Sequence, residues 1–358
     1  MSKTRDIAPL NIAPQNTEPE DRGGPHQPLI IAKNLKKHFP IRSGLLNRKS
    51  ATVHAVDGVS FEVRKGETLG IVGESGCGKS TTARLLIGLI ELDDGRIIFD
   101  GDALGSDIKL KELRRGVQMV FQDSYASLNP RLTIVESIAF GPQVHGMEDP
   151  HGKARDLMRR VGLAPERFAN RYPHELSGGQ RQRVNIARAL AMSPRLVILD
   201  EAVSALDKSV EAQVLNLLND LREELGLTYV FISHDLNVVR YISDRVLVMY
   251  LGEVVEVGPA EAIYHRQAHP YTASLFAAMP SMDPDNRTEE PPLAGDPPNP
   301  VDPPSGCRFH TRCRFAEGVC AARKPQLASI GGDADHLAAC HMGDPASGHS
   351  LASKEGSA

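Results

Sequence analysis

No stretch of the 358 residues reaches the ~18 consecutive apolar positions needed to cross a bilayer. The opening residues, Met1 to Asp6, lack the apolar core of a secretory signal, so no export signal is expected. Positive charge is not in excess: 41 Lys and Arg face 45 Asp and Glu, a formal charge of −4 at pH 7. No global basic field argues for nucleic acid, and no nucleic-acid partner is expected. Cysteine is scarce too, five in all with no CxxC pair. What remains is an ordinary globular balance, 41% hydrophobic and 24% charged. The length suits one large domain with an appendage, or two domains.

One stretch organises the chain. Gly73, Glu74, Ser75, Gly76, Cys77, Gly78, Lys79, Ser80 and Thr81 fit G-x-x-x-x-G-K-[ST], a phosphate-binding loop. The apolar run Thr68–Val72 before it reads as a buried strand, and Thr82–Leu89 after it as a helix. The glycines let backbone N–H groups close around phosphate oxygens, and the helix start adds partial positive charge. Lys79 can reach the β- and γ-phosphates of a nucleotide, and the Ser80 hydroxyl can ligate Mg²⁺.

Residues 1–28, rich in Pro, Asn, Asp and Gly, read as a disordered leader. Leu29–Ala32 reads as a strand, with a break at Phe39–Gly44 and a polar loop over 45–52. Val53–Val56 and Val59–Val63 alternate as half-buried strands, and Gly95–Gly101 is another bounded strand. Val117–Phe121, Leu196–Leu199 and Tyr229–Ser233 read as core strands. They end at Gln122, at Asp200–Glu201 and at His234. Between them, residues 123–190 carry helical patterns. Val210, Val214, Leu217, Leu218, Leu221 and Leu225 mark an amphipathic helix. Val246–Met249 and Glu253–Val257 suggest a hairpin around Leu251–Gly252. Strands alternating with helices predict an α/β fold with a mainly parallel sheet, whose ligands sit at the C-terminal strand ends. Residues 281–305 read as a Pro-rich linker, 306–342 as a Cys-rich module and 343–358 as a loose tail.

Leu176–Gln180 followed by Arg181–Leu190 places Ser177, Gly178, Gly179 and Gln180 at a helix start, a second anion-binding turn. In this order with the phosphate loop, residues 29–280 resemble the ATP-binding-cassette (ABC) ATPases. The resemblance implies a P-loop NTPase fold: a RecA-like parallel-sheet core, an antiparallel β subdomain and a helical subdomain, here with a small C-terminal Cys-rich module. It implies ATP as substrate and Mg²⁺ as cofactor. Gln122 resembles the glutamine that touches Mg²⁺ and the attacking water. Asp200 resembles the carboxylate that holds Mg²⁺ through water, Glu201 the general base and His234 the switch histidine at the γ-phosphate. Ser204–Asp207 resembles the loop that crosses to the partner's site. Ser177–Gln180 would close over ATP held by an opposite subunit. The family stacks adenine on an aromatic before the first long strand; Phe39 is the candidate and His54 the fallback.

Val120–Arg131, Glu201–Asp207 and His269–Thr272, with the Pro-rich linker and Cys module after them, resemble the second ATPase subunit of oligopeptide/dipeptide importers. Ser124 stands where that branch usually has proline. The resemblance implies an ATPase that energises peptide import from the cytoplasmic face of the membrane. Its partners would be a sister ATPase, two permease subunits and an extracytoplasmic solute-binding protein, with Ser124–Ile138 near the permease. Nickel, glycosides or other solutes, and a soluble ABC ATPase outside transport, stay open as alternatives.

The remaining cysteines follow Cys307-x5-Cys313-x6-Cys320-x19-Cys340. Four local thiols in a reduced compartment suggest metal before disulfide. They can hold a [4Fe–4S] cluster, which the resembled family carries in some members. Zinc, with His310 and His341 flanking cysteines, or metal-free thiols are the alternatives.

Overall fold

The computed structural model describes residues 27–43, 48–279 and 295–352. The leader assigned to residues 1–28 lies outside them but for its last two residues, as does the linker up to residue 294. In chain order, β1 (Pro28–Ser43), β2 (Arg48–Arg64) and β3 (Thr68–Val72) lead into α1 (Lys79–Leu86). Next come β4 (Asp94–Phe99), β5 (Asp102–Ala103), α2 (Leu110–Gly116) and β6 (Val117–Val120). Helices follow: α3 (Ile134–Val144), α4 (Pro150–Arg160), α5 (Pro165–Phe168) and α6 (Gly178–Leu190). The core resumes with β7 (Leu196–Asp200), α7 (Lys208–Leu225), β8 (Thr228–Ile232) and α8 (Leu236–Ile242). Then β9 (Arg245–Tyr250) turns into β10 (Glu253–Pro259), followed by α9 (Ala260–His265) and α10 (Pro270–Ala277). The C-terminal region adds α11 (Gly318–Ala322), β11 (Ala328–Ile330) and β12 (Asp333–Ala338).

Two sheets organise these elements: a four-stranded one, β2-β1-β4-β5, and an eight-stranded one, β11-β12-β10-β9-β3-β8-β7-β6. In the second, β9, β3, β8, β7 and β6 run parallel. Every residue of β3, β7 and β8 is buried. The alternation of side chains explains their unbroken apolar runs. Ile71, Ile198, Val230 and Ile232 point to one face, where Leu29, Val56 and Leu85 pack. Val72, Leu199 and Phe231 point to the other, under the helices bearing Ile138, Val184 and Leu218. With both faces covered, a ligand approaches such a sheet at the C-terminal strand ends. No helix among the described residues is long and apolar enough to cross a membrane.

Four expectations need correction. The break at Phe39–Gly44 does not occur as far as Ser43, and the loop expected over 45–52 is strand from Arg48, because β1 stays paired with β2 through Phe39↔Val53, Pro40↔Thr52 and Ile41↔Ala51. Register shifts along the ribbon absorb the irregular sequence, and Pro40 lies on a strand it does not end. The helix after the phosphate loop begins at Lys79, three residues before the expected Thr82, with Gly78 as its left-handed N-cap. The tail is not loose as far as residue 352. His349 and Ser347 are buried, the His349 Nε2 lies 2.9 Å from the Phe315 carbonyl, and the Ser347 hydroxyl donates to the His341 carbonyl. The Cys-rich region also lends strand: β12 pairs antiparallel with β10 and carries β11 at the sheet edge.

Candidate functional site

The loop from Gly73 to Gly78 leaves β3 at its C-terminal end and folds back into α1. Its conformation demands glycine at two places. Gly73 has φ 147° and a Cβ there would lie 2.2 Å from the Met249 carbonyl oxygen. Gly78 has φ 108° and a Cβ would lie 2.3 Å from the Ala55 carbonyl oxygen. Inside the loop, the Lys79 ammonium donates to the Gly73 carbonyl at 2.7 Å and the Glu74 carbonyl at 3.0 Å. The lysine is only 6% exposed, so its charge is held at the centre of the loop by backbone oxygens.

The neighbouring strand ends supply the rest. Asp200 closes β7 and accepts from the Ser80 hydroxyl at 2.9 Å. Burial pushes the Asp200 carboxyl above the usual carboxylate range, while the Ser80 bond and the positive charges of Arg84 and Lys79 oppose that shift. Glu201 sits at φ 49°, a strained left-handed conformation for a residue with a side chain. Its own N–H donates to the Ile232 carbonyl at 2.9 Å, which fixes the turn. The Glu201 carboxylate accepts from Gln122 Nε2 at 2.7 Å and lies 3.6 Å from His234 Nδ1. Gln122, Asp200, Glu201 and His234 follow three adjacent parallel strands, β6, β7 and β8, and the structure brings them together.

Ser177–Gln180 sits elsewhere, at the start of α6. The Ser177 hydroxyl accepts from the Gln180 N–H at 3.3 Å, and the Gln180 side chain accepts from the Ser177 N–H at 3.0 Å. This capping box satisfies two donors locally and leaves the glycine N–H groups at an exposed helix end. Helix α6 is tied to the stretch after Gln122: the Ser127 hydroxyl donates to Asn185 Oδ1 at 3.0 Å, and Asn185 Nδ2 to the Ser124 carbonyl at 3.0 Å. Phe39 lies on β1 with 39% of its surface exposed. His54 is half-buried and its ring lies tilted at 46° to that of His38, centroids 4.2 Å apart.

Cys307, Cys313, Cys320 and Cys340 line one cavity with Phe309, Phe315 and several histidines. Burial pushes the Cys307 thiol up to about 12 and the Cys340 thiol up to about 11. With no metal, the Cys307 and Cys340 thiols would stay protonated at neutral pH. Among the described residues, the one group of three or more His, Cys, Asp or Glu ligand atoms within 4.8 Å of one another is His38, His54 and Asp57. No three of the four sulfurs all lie within that distance of one another. Of the histidines, His310 Nδ1 lies 2.8 Å from the Cys307 carbonyl and His341 Nε2 2.8 Å from the Arg323 carbonyl.

Sequence reasoning missed the contacts that join this cavity to the phosphate loop. Arg312 pairs with Glu74, and Tyr271 OH accepts from the Glu74 N–H at 2.9 Å. The separations, 238 and 197 residues, carry no local signal.

The ABC transporter family description matches residues 56–204, and the oligopeptide/dipeptide transporter C-terminal region matches residues 255–320. The oligopeptide transport ATP-binding protein AppF of Bacillus subtilis (strain 168) is 49% identical over 322 residues, covering 88% of this chain and 97% of that one. The oligopeptide transport ATP-binding protein OppF of Salmonella typhimurium is 48% identical over 328 residues, covering 88% and 97%. Among solved structures, the dimeric bacterial ABC transporter cassette MJ0796 aligns with a TM-score of 0.57 and 32% identity, over 64% of this chain and 98% of that one. The same cassette in a post-hydrolysis state with ADP and Pi aligns with a TM-score of 0.56 and 31% identity, over 64% and 98%.

Proposed function

The chain belongs to the ABC transporter ATPases, in the branch with the oligopeptide/dipeptide transporter C-terminal region, and from that premise we propose how its residues hydrolyse ATP to energise peptide import. The observation that carries the reading is the meeting of Gln122, Glu201 and His234 at adjacent strand ends beside the Ser80–Asp200 pair.

Gly73–Thr81 cradles the triphosphate, with Lys79 turning from the loop carbonyls toward the β- and γ-phosphates. Phe39, exposed on β1, stacks on the adenine. Ser80, Asp200 and Gln122 would hold Mg²⁺. The donor set fits, because Asp200 is a buried carboxylate whose burial disfavours its charge, and a divalent cation offsets that penalty. The ion would neutralise charge on the β- and γ-phosphate oxygens. Glu201 orients the lytic water and takes its proton, Gln122 fixes the Glu201 carboxylate, and His234 contacts the γ-phosphate. Phosphoryl transfer demands positioning and charge neutralisation more than covalent chemistry, and these groups supply both.

Ser177–Gln180 completes the site of a second subunit. Its exposed helix start supports that role, and so does the dimeric state of the related cassette. The second subunit is a sister ATPase. Two permease subunits and an extracytoplasmic solute-binding protein complete the transporter, which holds the chain at the cytoplasmic face of the membrane. Exposed Tyr125, Phe140 and Val144, on and just beyond Ser124–Ile138, suit contact with the permease. The four cysteines hold a [4Fe–4S] cluster. Four soft donors and an apolar lining support it. Anaerobic purification with iron and zinc analysis tests this; stoichiometric zinc without iron defeats it. The import function is tested in vesicles carrying the assembled transporter: peptide uptake should require ATP and stop with Lys79→Ala. Uptake that persists with that variant refutes the reading.

A further inference from the structure

Five residues separate Cys307 from Cys313, and two of them reach out of the cysteine cavity to the nucleotide side. Arg312 forms a two-pronged ion pair with Glu74 of the phosphate loop, Nη1 to Oε2 at 2.9 Å and Nη2 to Oε1 at 3.2 Å. Its guanidinium stands over the Tyr250 ring, 5.9 Å from the centroid, and its side chain is only 6% exposed. Arg308 donates to the Leu251 carbonyl and pairs with Asp57 and Glu253. The next residue, Gly252, donates from its N–H to the Cys77 carbonyl at 2.9 Å. Phe309, between them in sequence, sets its ring 5.4 Å from both Tyr250 and Tyr271. Tyr271 in turn accepts from the Glu74 N–H.

Glu74 is thus held on three sides: by Arg312 at its carboxylate, by Tyr271 at its N–H, and by Lys79 at its carbonyl. A carboxylate inside a loop that must accept a polyanion opposes binding unless its charge is cancelled and its direction fixed. A planar, always-charged guanidinium does both through its fork, and a lysine would do only the first.

We propose that Arg312 is a positioning residue for ATP binding: it neutralises and orients Glu74, so that the loop between Cys307 and Cys313 braces the phosphate loop. The shape of that loop is set at both ends by cavity-lining thiols, and a change at the thiols is therefore felt as a change in ATP affinity. The inference rests on Gly73–Thr81 being the ATP site, and Lys79→Ala tests that separately.

The test uses the full chain and equilibrium binding of trinitrophenyl-ATP, with thermal melting and visible absorption to confirm that the fold and the cysteine site are intact. Arg312→Gln should weaken binding about five- to twentyfold, and Glu74→Gln placed on top of it should restore most of the affinity. Arg312→Lys, which keeps the charge and loses the fork, should weaken binding about two- to threefold; if the glutamine variant does not fold, unchanged binding by the lysine variant refutes the orienting role. In the assembled transporter, Arg312→Gln should raise KM for ATP while kcat changes by less than about twofold. If Lys79→Ala abolishes binding but Arg312→Gln leaves it unchanged, the brace is refuted and the ATP site stands. If the double variant binds as weakly as Arg312→Gln alone, the charge argument is refuted.

Discussion

The nucleotide-facing strand ends and the cysteine cavity solve opposite problems. At the strand ends, polar groups are held by backbone geometry: a left-handed Glu201, glycines at Gly73 and Gly78, and short bonds from Gln122 to Glu201 and from Ser80 to Asp200. In the cavity, four thiols are enclosed by Phe309 and Phe315 on segments with little regular structure. The strand-end groups of the first site are already placed by the sheet. The second is stitched by short turns, such as the Cys307 N–H to the Cys320 carbonyl at 2.8 Å and the Gly343 N–H to the Cys340 carbonyl at 3.1 Å, and leaves its thiols for a further group to join. Regular structure fixes catalytic groups to within the tolerance that phosphoryl transfer requires, whereas a loop-built module needs a covalent or metal staple to hold shape.

The sharpest way to break that contrast is at Glu201. Glu201→Gln in the assembled transporter should keep ATP binding and lower turnover by about 10²- to 10⁴-fold, measured as phosphate release. Unchanged turnover removes the general-base role. Next in size is Cys313→Ser. It should abolish the visible absorption and iron content of the purified chain and lower its melting temperature by several degrees, while ATP binding survives in weakened form. Retained iron would show that the cavity is not the cluster's seat.

A smaller effect concerns acid. His269 caps α10, its Nδ1 accepting from the Tyr271 N–H at 3.0 Å, and burial pushes it down to about 4 against the attraction of Glu256. Glu256 accepts from the His269 N–H at 2.9 Å and lies 2.7 Å from His336 Nε2. The neutral imidazole is the form the fold requires, so its stabilisation is complete above the unfolded value near 6.5 and is lost as pH falls from there toward 4. The window is worth up to about 3 kcal/mol. Denaturant titrations from pH 7 to 4.5 should show wild type losing stability faster than His269→Asn, which keeps a cap acceptor without a titrating ring. Parallel slopes would contradict this.

What could be read in the chain follows the same division. The phosphate loop, the core strands and the residues ending them were legible because each is a local pattern: glycines at fixed offsets, and apolar runs that stop at Gln122, Asp200 and His234. The β1–β2 ribbon was misread because Phe39-Pro40 looks like a break, and only the partner strand shows that pairing continues. The strands β11 and β12 were invisible because Ala328–Ile330 and Asp333–Ala338 lack an apolar alternation, and β12 is recruited by the edge of β10. The packing of His349 and the Arg312–Glu74 pair depend on contacts across the whole fold.

The central claim is that this chain grips ATP alone but turns it over only when a second subunit closes on it. The direct measurement is ATP turnover by the isolated chain against the same chain in the assembled transporter, at equal ATP occupancy. The account predicts that turnover by the isolated chain is lower by about tenfold or more, and that Ser177→Arg lowers the transporter's turnover without reducing nucleotide bound at this chain's own Lys79 loop. Equal turnover by the isolated monomer would contradict it.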